Sequence, residues 1–145
     1  MQIRIIKKEE YPQAFELVFR VFDKFEAPEY SQEGIDSFKK SLSDEKYISQ
    51  LEIYAAFENE KIIGVIATRN SGNHIALFFV DEEYQRQGIG KKLFQLAIAD
   101  NYTGTVTVNS SPYAVKIYEK LGFEKVSEEK VDDGIRYTPM FYKVN

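Results

Sequence analysis

Phe79-Val80-Asp81-Glu82-Glu83-Tyr84-Gln85-Arg86-Gln87-Gly88-Ile89-Gly90-Lys91-Lys92-Leu93-Phe94 is the stretch from which the fold can be read. To its left, His74 to Val80 is a short apolar run of the buried-strand kind. To its right, Ile89, Leu93, Leu96 and Ala97 recur at helical spacing. Between strand and helix, Gln85 to Gly90 forms a turn in which two glycines remove Cβ atoms where the helix begins. Such a turn points backbone N–H groups outward, and the helix dipole draws an anion to that spot. Arg86, Lys91 and Lys92 add positive charge, although the chain carries a net charge of −4. Lysines in a first helical turn oppose the dipole, at about 0.3–1 kcal/mol each when exposed, and a bound polyanion would reverse that penalty. Sequence alone leaves two meanings open, a phosphate cradle and a solvated basic helix start.

Register separates this loop from two other glycine-rich phosphate loops. A Walker loop requires Gly where Gln85 stands and Ser or Thr where Lys92 stands. A dinucleotide fingerprint requires a third Gly at Leu93. The stretch instead resembles the acetyl-CoA pyrophosphate loop of the GNAT N-acetyltransferases, Gln/Arg-x-x-Gly-x-Gly/Ala, through Gln85, Gly88 and Gly90.

Composition bounds the rest. The 145 residues suit one domain, 1–145, able to bury roughly two-thirds of its unfolded surface. Hydrophobic residues at 43% and charged residues at 29% are globular values. Ten Tyr and eleven Phe without a Trp imply an aromatic core or a lined pocket. The lack of Cys excludes disulfides, thiolate nucleophiles and Cys-based zinc sites, and one His argues against a dedicated metal centre. Net acidity argues against nucleic acid as the main partner. No run approaches membrane-spanning length and no signal peptide opens the chain, so no membrane role and a soluble, cytoplasmic protein are expected.

In chain order, Gln2 to Ile6 reads as a strand. Pro12 then suits a first helical turn, followed by Phe15, Phe19 and Phe22 with Ala14, Val18 and Val21. Ser31 caps a second helix carrying Ile35, Phe38 and Leu42, which Gly34 weakens by about 1 kcal/mol relative to Ala, leaving it mobile. Glu52 to Phe57, Lys61 to Thr68 and His74 to Val80 read as three antiparallel strands, and the loop helix runs to about Asp100. Thr105 to Val108 is a further strand. Ser111-Pro112 starts a helix with inner residues Ala114, Ile117, Tyr118 and Leu121, stopped by Gly122. Phe123 to Val131 and Ile135 to Val144 pair around Asp133-Gly134.

The resulting order, β-α-α-β-β-β-α-β-α-β-β, is the GNAT order. Asn109, Ala114, Tyr118 and Leu121-Gly122-Phe123 resemble that family's second acetyl-CoA segment. The resemblance covers nearly the whole chain and is specific over about 78–123. It implies an α/β GNAT fold, a twisted, mostly antiparallel mixed sheet of six to seven strands with about four flanking helices. It also implies acetyl-CoA as co-substrate, and the homodimer through edge strands common in the family, although the residues themselves leave oligomeric state open.

The resemblance assigns roles residue by residue. The pyrophosphate would lie on the N–H groups of Gln87, Gly88, Ile89, Gly90, Lys91 and Lys92, with Gln85 and Arg86 in the same loop. Phe78, Phe79 and Val80 would offer backbone groups to the pantetheine, and a role as plain sheet core stays open for their side chains. Asn109 would hydrogen-bond the same arm or serve as an ordinary helix-entry residue. Ala114 would leave room beside Tyr118. Tyr118 would protonate the departing thiolate, its phenol pKa near 10 keeping the proton at neutral pH. Periodicity alone would favour a core role for Tyr118; its position relative to Asn109 and Gly122 favours the catalytic one. For the general base, His74 has the most suitable ordinary pKa, about 6.5. Glu26, Glu29 and Glu52 acting through water remain alternatives. Glu26, Glu29 and Tyr30 would bound the acceptor pocket, the acceptor being a primary amine of a small molecule or a peptide N-terminus or lysine. A non-catalytic acyl-CoA-binding module is the competing function.

Overall fold

The structure is a computed structural model describing residues 1–144. Strand β3 (Lys61–Arg69) is buried at seven consecutive positions. Its run of Ile, Val and Ala without polar alternation is what a strand covered on both faces requires. β2 (Glu52–Glu58) and β4 (His74–Val80) flank it antiparallel. β1 (Gln2–Ile5) pairs with β2 at the edge. β5 (Thr105–Ser110) lies parallel to β4, and β8 (Ile135–Lys143) then lies antiparallel between β5 and the short β6 (Glu124–Lys125). β7 (Lys130–Asp132) pairs with β8 off this path, so the sheet order is β1-β2-β3-β4-β5-β8-β6.

Two apolar clusters sandwich this sheet. On one face, α1 (Tyr11–Phe25), α2 (Gln32–Ser41) and the short α3 (Glu45–Ile48) pack Leu17, Val18, Phe22 and Leu42 on Ile53, Val65 and Phe79. On the other, α4 (Ile89–Ala97) and α5 (Val115–Leu121) pack Ile89, Leu93, Phe94 and Tyr118 on Ile63, Ile66, Val106 and Val108.

The α/β class, the mostly antiparallel sheet and the element order are those the sequence predicts. Several boundaries differ. Among the described residues the sheet has eight strands, because the run Phe123 to Val131 breaks into β6 and β7 around Ser127. A fifth helix, α3, forms where the Asp44 carboxylate accepts the N–H groups of Lys46 and Tyr47 at 3.0 and 3.4 Å. α4 stops at Ala97, and α5 begins at Val115 after a turn through Pro112. Ile117, expected on its inner stripe, is exposed. Gly34 lies in the first turn of α2 against the β7–β8 hairpin. A Cβ there would stand 2.2 Å from the Gly134 carbonyl oxygen, so glycine is what lets the hairpin rest on this helix.

One irregularity positions the site. Ala67 faces Leu77 and Thr68 faces Ile75, so Ala76 is an extra residue in β4, a β-bulge. β4 pairs with β5 only at His74–Thr107 and Ile75–Val108. Past the bulge the two strands diverge, and Leu77 to Val80 have no strand partner on the β5 side.

Candidate active site

The wedge between β4 and β5 opens onto a cavity of about 440 Å³. β4 supplies Phe78, Phe79 and Val80, the following loop supplies Tyr84, Gln85, Arg86 and Gly88, and α4 supplies Gly90 and Lys91. The opposite wall is Tyr113, Ala114, Ile117, Tyr118, Lys120 and Leu121, and α1 closes the rest with Val21 and Glu26.

The loop owes its shape to specific residues. Asp81 is buried, accepts the Glu83 N–H at 2.9 Å and pairs with Arg20 of α1 at 2.9 Å. Lys24 of α1 pairs with Glu82. The Gln85 amide donates to the Val80 carbonyl at 3.0 Å, folding the loop back on the strand end. Arg86 and Gly88 both lie in the left-handed region, at φ 65° and 81°. That conformation strains Arg86 and suits Gly88. A Cβ on Gly88 would meet nothing within 4 Å, whereas one on Gly90 would stand 3.3 Å from the Phe78 ring. Gly88 is thus demanded by backbone conformation, and Gly90 by close approach.

Helix α4 therefore begins in an open, basic turn facing the cavity. Arg86 and Lys91 line it, while Gln87 and Lys92 are exposed outside the lining. The Ile89 side chain is core, packed under the loop, so only its backbone can serve a ligand. Gln87 donates its amide to the Glu83 carbonyl at 3.3 Å.

Tyr118 is 5% exposed, its ring 5.9 Å from Phe78 and 5.2 Å from Phe123. Burial, aided by the charge of Glu26, pushes its phenol above the ordinary range, so it keeps its proton through neutral pH. Glu26 ends α1 and is 9% exposed. Burial pushes its carboxyl up to about 7; a hydrogen bond with Ser111 opposes the rise and the charge of Glu29 adds to it. Tyr113 stacks on Phe25 with ring centroids 5.1 Å apart and hydrogen-bonds the Gln85 side chain, bridging the α5 end and the loop.

Other expected site residues lie elsewhere. His74, the favoured base, opens β4 at the end away from the loop, roughly 20 Å of strand from Val80. It is outside the cavity lining, and its Nδ1 shares a 2.8 Å hydrogen bond with the Thr107 hydroxyl. Burial, then Arg69, pushes its pKa down to about 4, which makes it a weak base. Asn109 is exposed on β5, one residue past the last β4–β5 pair and outside the lining. Glu29 is exposed and Tyr30 half-buried, also outside. Glu29 offers its carbonyl to Arg136 at 3.1 Å. Sequence reasoning missed Val21, Tyr84, Ser111, Tyr113 and Lys120. Only Ser111 and Tyr113 carried a signal, as neighbours of Ala114 in a segment already singled out.

The family described as acetyltransferase (GNAT) domain matches residues 26–144. The chain belongs to this family of acyltransferase enzymes. Over 135 residues it is 24% identical to the uncharacterized N-acetyltransferase YafP of Escherichia coli, covering 91% of this chain and 87% of that one. The peptidyl-lysine N-acetyltransferase YjaB of Salmonella typhimurium is 36% identical over 64 residues, 43% of this chain and 44% of the relative. The PaiA N-acetyltransferase of Thermoplasma acidophilum, solved in complex with coenzyme A, superposes with a TM-score of 0.73 at 23% identity, covering 99% of both chains.

Proposed function

We propose that the protein is an acetyl-CoA-dependent N-acetyltransferase acting by direct transfer to a primary amine of a small molecule or a peptide. The observation that carries this is a single cavity onto which the unpartnered half of β4, the basic loop of α4 and Tyr118 all face. The coenzyme A held by the PaiA neighbour supports the same choice of ligand. The family match supports the same chemistry.

The residues fit that ligand. The N–H groups of Gln87 to Lys92 and the charges of Arg86 and Lys91 suit a pyrophosphate. The β5-facing backbone of Phe78 to Val80 suits an amide-bearing arm laid along the wedge, with Asn109 at its rim. Bound there, acetyl-CoA supplies an acyl group activated as a thioester. Tyr118 holds a proton on its hydroxyl for the departing sulfur. The apolar walls, Phe78, Phe79, Ala114 and Leu121, exclude water from the reacting centre.

Purified protein given acetyl-CoA and a panel of polyamines, amino acids, aminosugars and lysine peptides, with free thiol as readout, tests this. Saturable thiol release dependent on one amine class is expected, and lysine peptides are the first to test because the similar YjaB is named a peptidyl-lysine N-acetyltransferase. Calorimetric acetyl-CoA binding without release for any amine would instead identify a non-catalytic acyl-CoA-binding module.

A further inference from the structure

We infer that the carboxylate of Glu26 is the general base of the reaction, accepting the proton of the acceptor ammonium inside the cavity; the inference rests on the acetyltransferase reading above. Among the described residues Glu26 is the only acid lining the cavity, whose other charged residues are Arg86, Lys91 and Lys120. Acids are rarely this buried unless paired, and none of the ion pairs among the described residues includes it. It also stands at the C-terminal end of α1, where the helix dipole disfavours negative charge. Packing alone gives no reason for an acid here.

One neighbour, the Ser111 hydroxyl, favours its charged form. The Ser111 hydroxyl accepts the Ala114 N–H at 3.2 Å, which leaves its own proton to donate to Glu26. Glu29 and Tyr30 from the turn after α1 and Tyr113 and Tyr118 from the α5 wall interact electrostatically with the carboxylate, and Arg86 and Lys91 line the same cavity from the loop and α4. The charge of Glu26 is felt by the Tyr118 phenol, so an acceptor for protons and a donor share one space.

Protons balance through these two groups. The ammonium gives one proton to Glu26, and the freed lone pair forms the C–N bond as the C–S bond breaks. Tyr118 gives its proton to the sulfur and regains one from the nitrogen. Glu26 returns the first proton to solvent, the net product of transfer from an ammonium.

The test compares the wild type with Glu26→Gln, Ser111→Ala and Glu29→Gln at saturating acetyl-CoA over about pH 5.5 to 9. Wild-type turnover should rise with pH and level off near 7. An acceptor deprotonated without help, with an ordinary amine pKa near 10, would keep the rate rising through pH 9. Glu26→Gln should lose about 10²-fold or more and the inflection, with calorimetric acetyl-CoA affinity retained. Ser111→Ala removes a hydrogen bond to the charged form and should move the inflection up; Glu29→Gln removes a like charge and should move it down. Carboxyl NMR of the free protein should show Glu26 titrating with the same midpoint and the same two displacements. Wild-type-like turnover in folded Glu26→Gln, or an inflection that neither neighbour moves, overturns the assignment. Absence of thiol release by the wild type with every amine overturns the acetyltransferase reading itself.

Discussion

At the scale of single residues, Glu26 has a cost that can be measured without substrate. Its carboxyl titrates near 4.5 when exposed and at about 7 in the folded protein. Between those values the unfolded chain loses a proton that the folded chain keeps, so stability falls as pH rises and the loss is complete above 7. The displacement corresponds to about 3 kcal/mol. Glu26→Gln should therefore melt higher than wild type at about pH 8 and equal to it near pH 4, even as it loses activity. Equal melting temperatures at the higher pH would show that the carboxylate is not held under strain. Tyr118→Phe keeps the ring against Phe78 and Phe123 and removes one hydroxyl. Turnover should fall by about 10²-fold or more with acetyl-CoA affinity nearly unchanged. His74→Gln should leave turnover unchanged, because the ring is fastened to Thr107 at the far end of β4.

At the scale of elements, glycines join parts that are distant in sequence. Gly134, at φ 77°, and Gly34 meet where the β7–β8 hairpin rests on the first turn of α2, and Ser31 and Ser37 donate to the Gly134 and Asp133 carbonyls at 3.4 and 3.2 Å. In an isolated helix Gly34→Ala would gain about 1 kcal/mol; here the clash should reverse the sign, destabilising by about 1–3 kcal/mol in chemical denaturation. Gly90→Val should abolish acetyl-CoA binding by calorimetry. Because Phe78 is also in its way, Gly88→Ala, which meets nothing but holds φ 81°, separates loop conformation from crowding. Much of this level was legible in the sequence. Ser31 at a cap, Gly122 at a stop and Asp133-Gly134 in a two-residue turn are local chemistry, as is the basic glycine loop. Legibility ended where distant segments decide. The bulge at Ala76 depends on the register of β3, and the break between β6 and β7 on competition for β8. The burial of Glu26 and its interaction with Ser111, more than eighty positions later in the chain, are likewise set by distant packing that no local pattern encodes.

At the scale of the whole molecule, β1 to β4 are joined by successive antiparallel pairings, with α1 packed on them. Beyond β4 the pattern changes. β5 touches β4 at two register positions and takes the rest of its pairing from β8, which also holds β6. A chain ending before Ile135 should keep the first four strands and α1 protected in hydrogen exchange, lose protection in β5, and fail to bind acetyl-CoA. Protection of β5 in such a chain would show that β4 alone secures it. The placement of β8 also sets an order of events during synthesis. Chains fold from the N-terminus as they emerge. Thr105–Ser110 emerges well before its main partner, and the wall bearing Tyr118 packs on β5. The basic turn at the start of α4 can thus be complete on a growing chain while the opposite wall waits for Ile135–Lys143. A nascent chain stalled just short of that strand would expose Val106 and Val108, apolar and unpaired, to any chaperone that reads such segments. The enzyme becomes competent in one late step, when Ile135–Lys143 pairs with Thr105–Ser110 on one side and Glu124–Lys125 on the other.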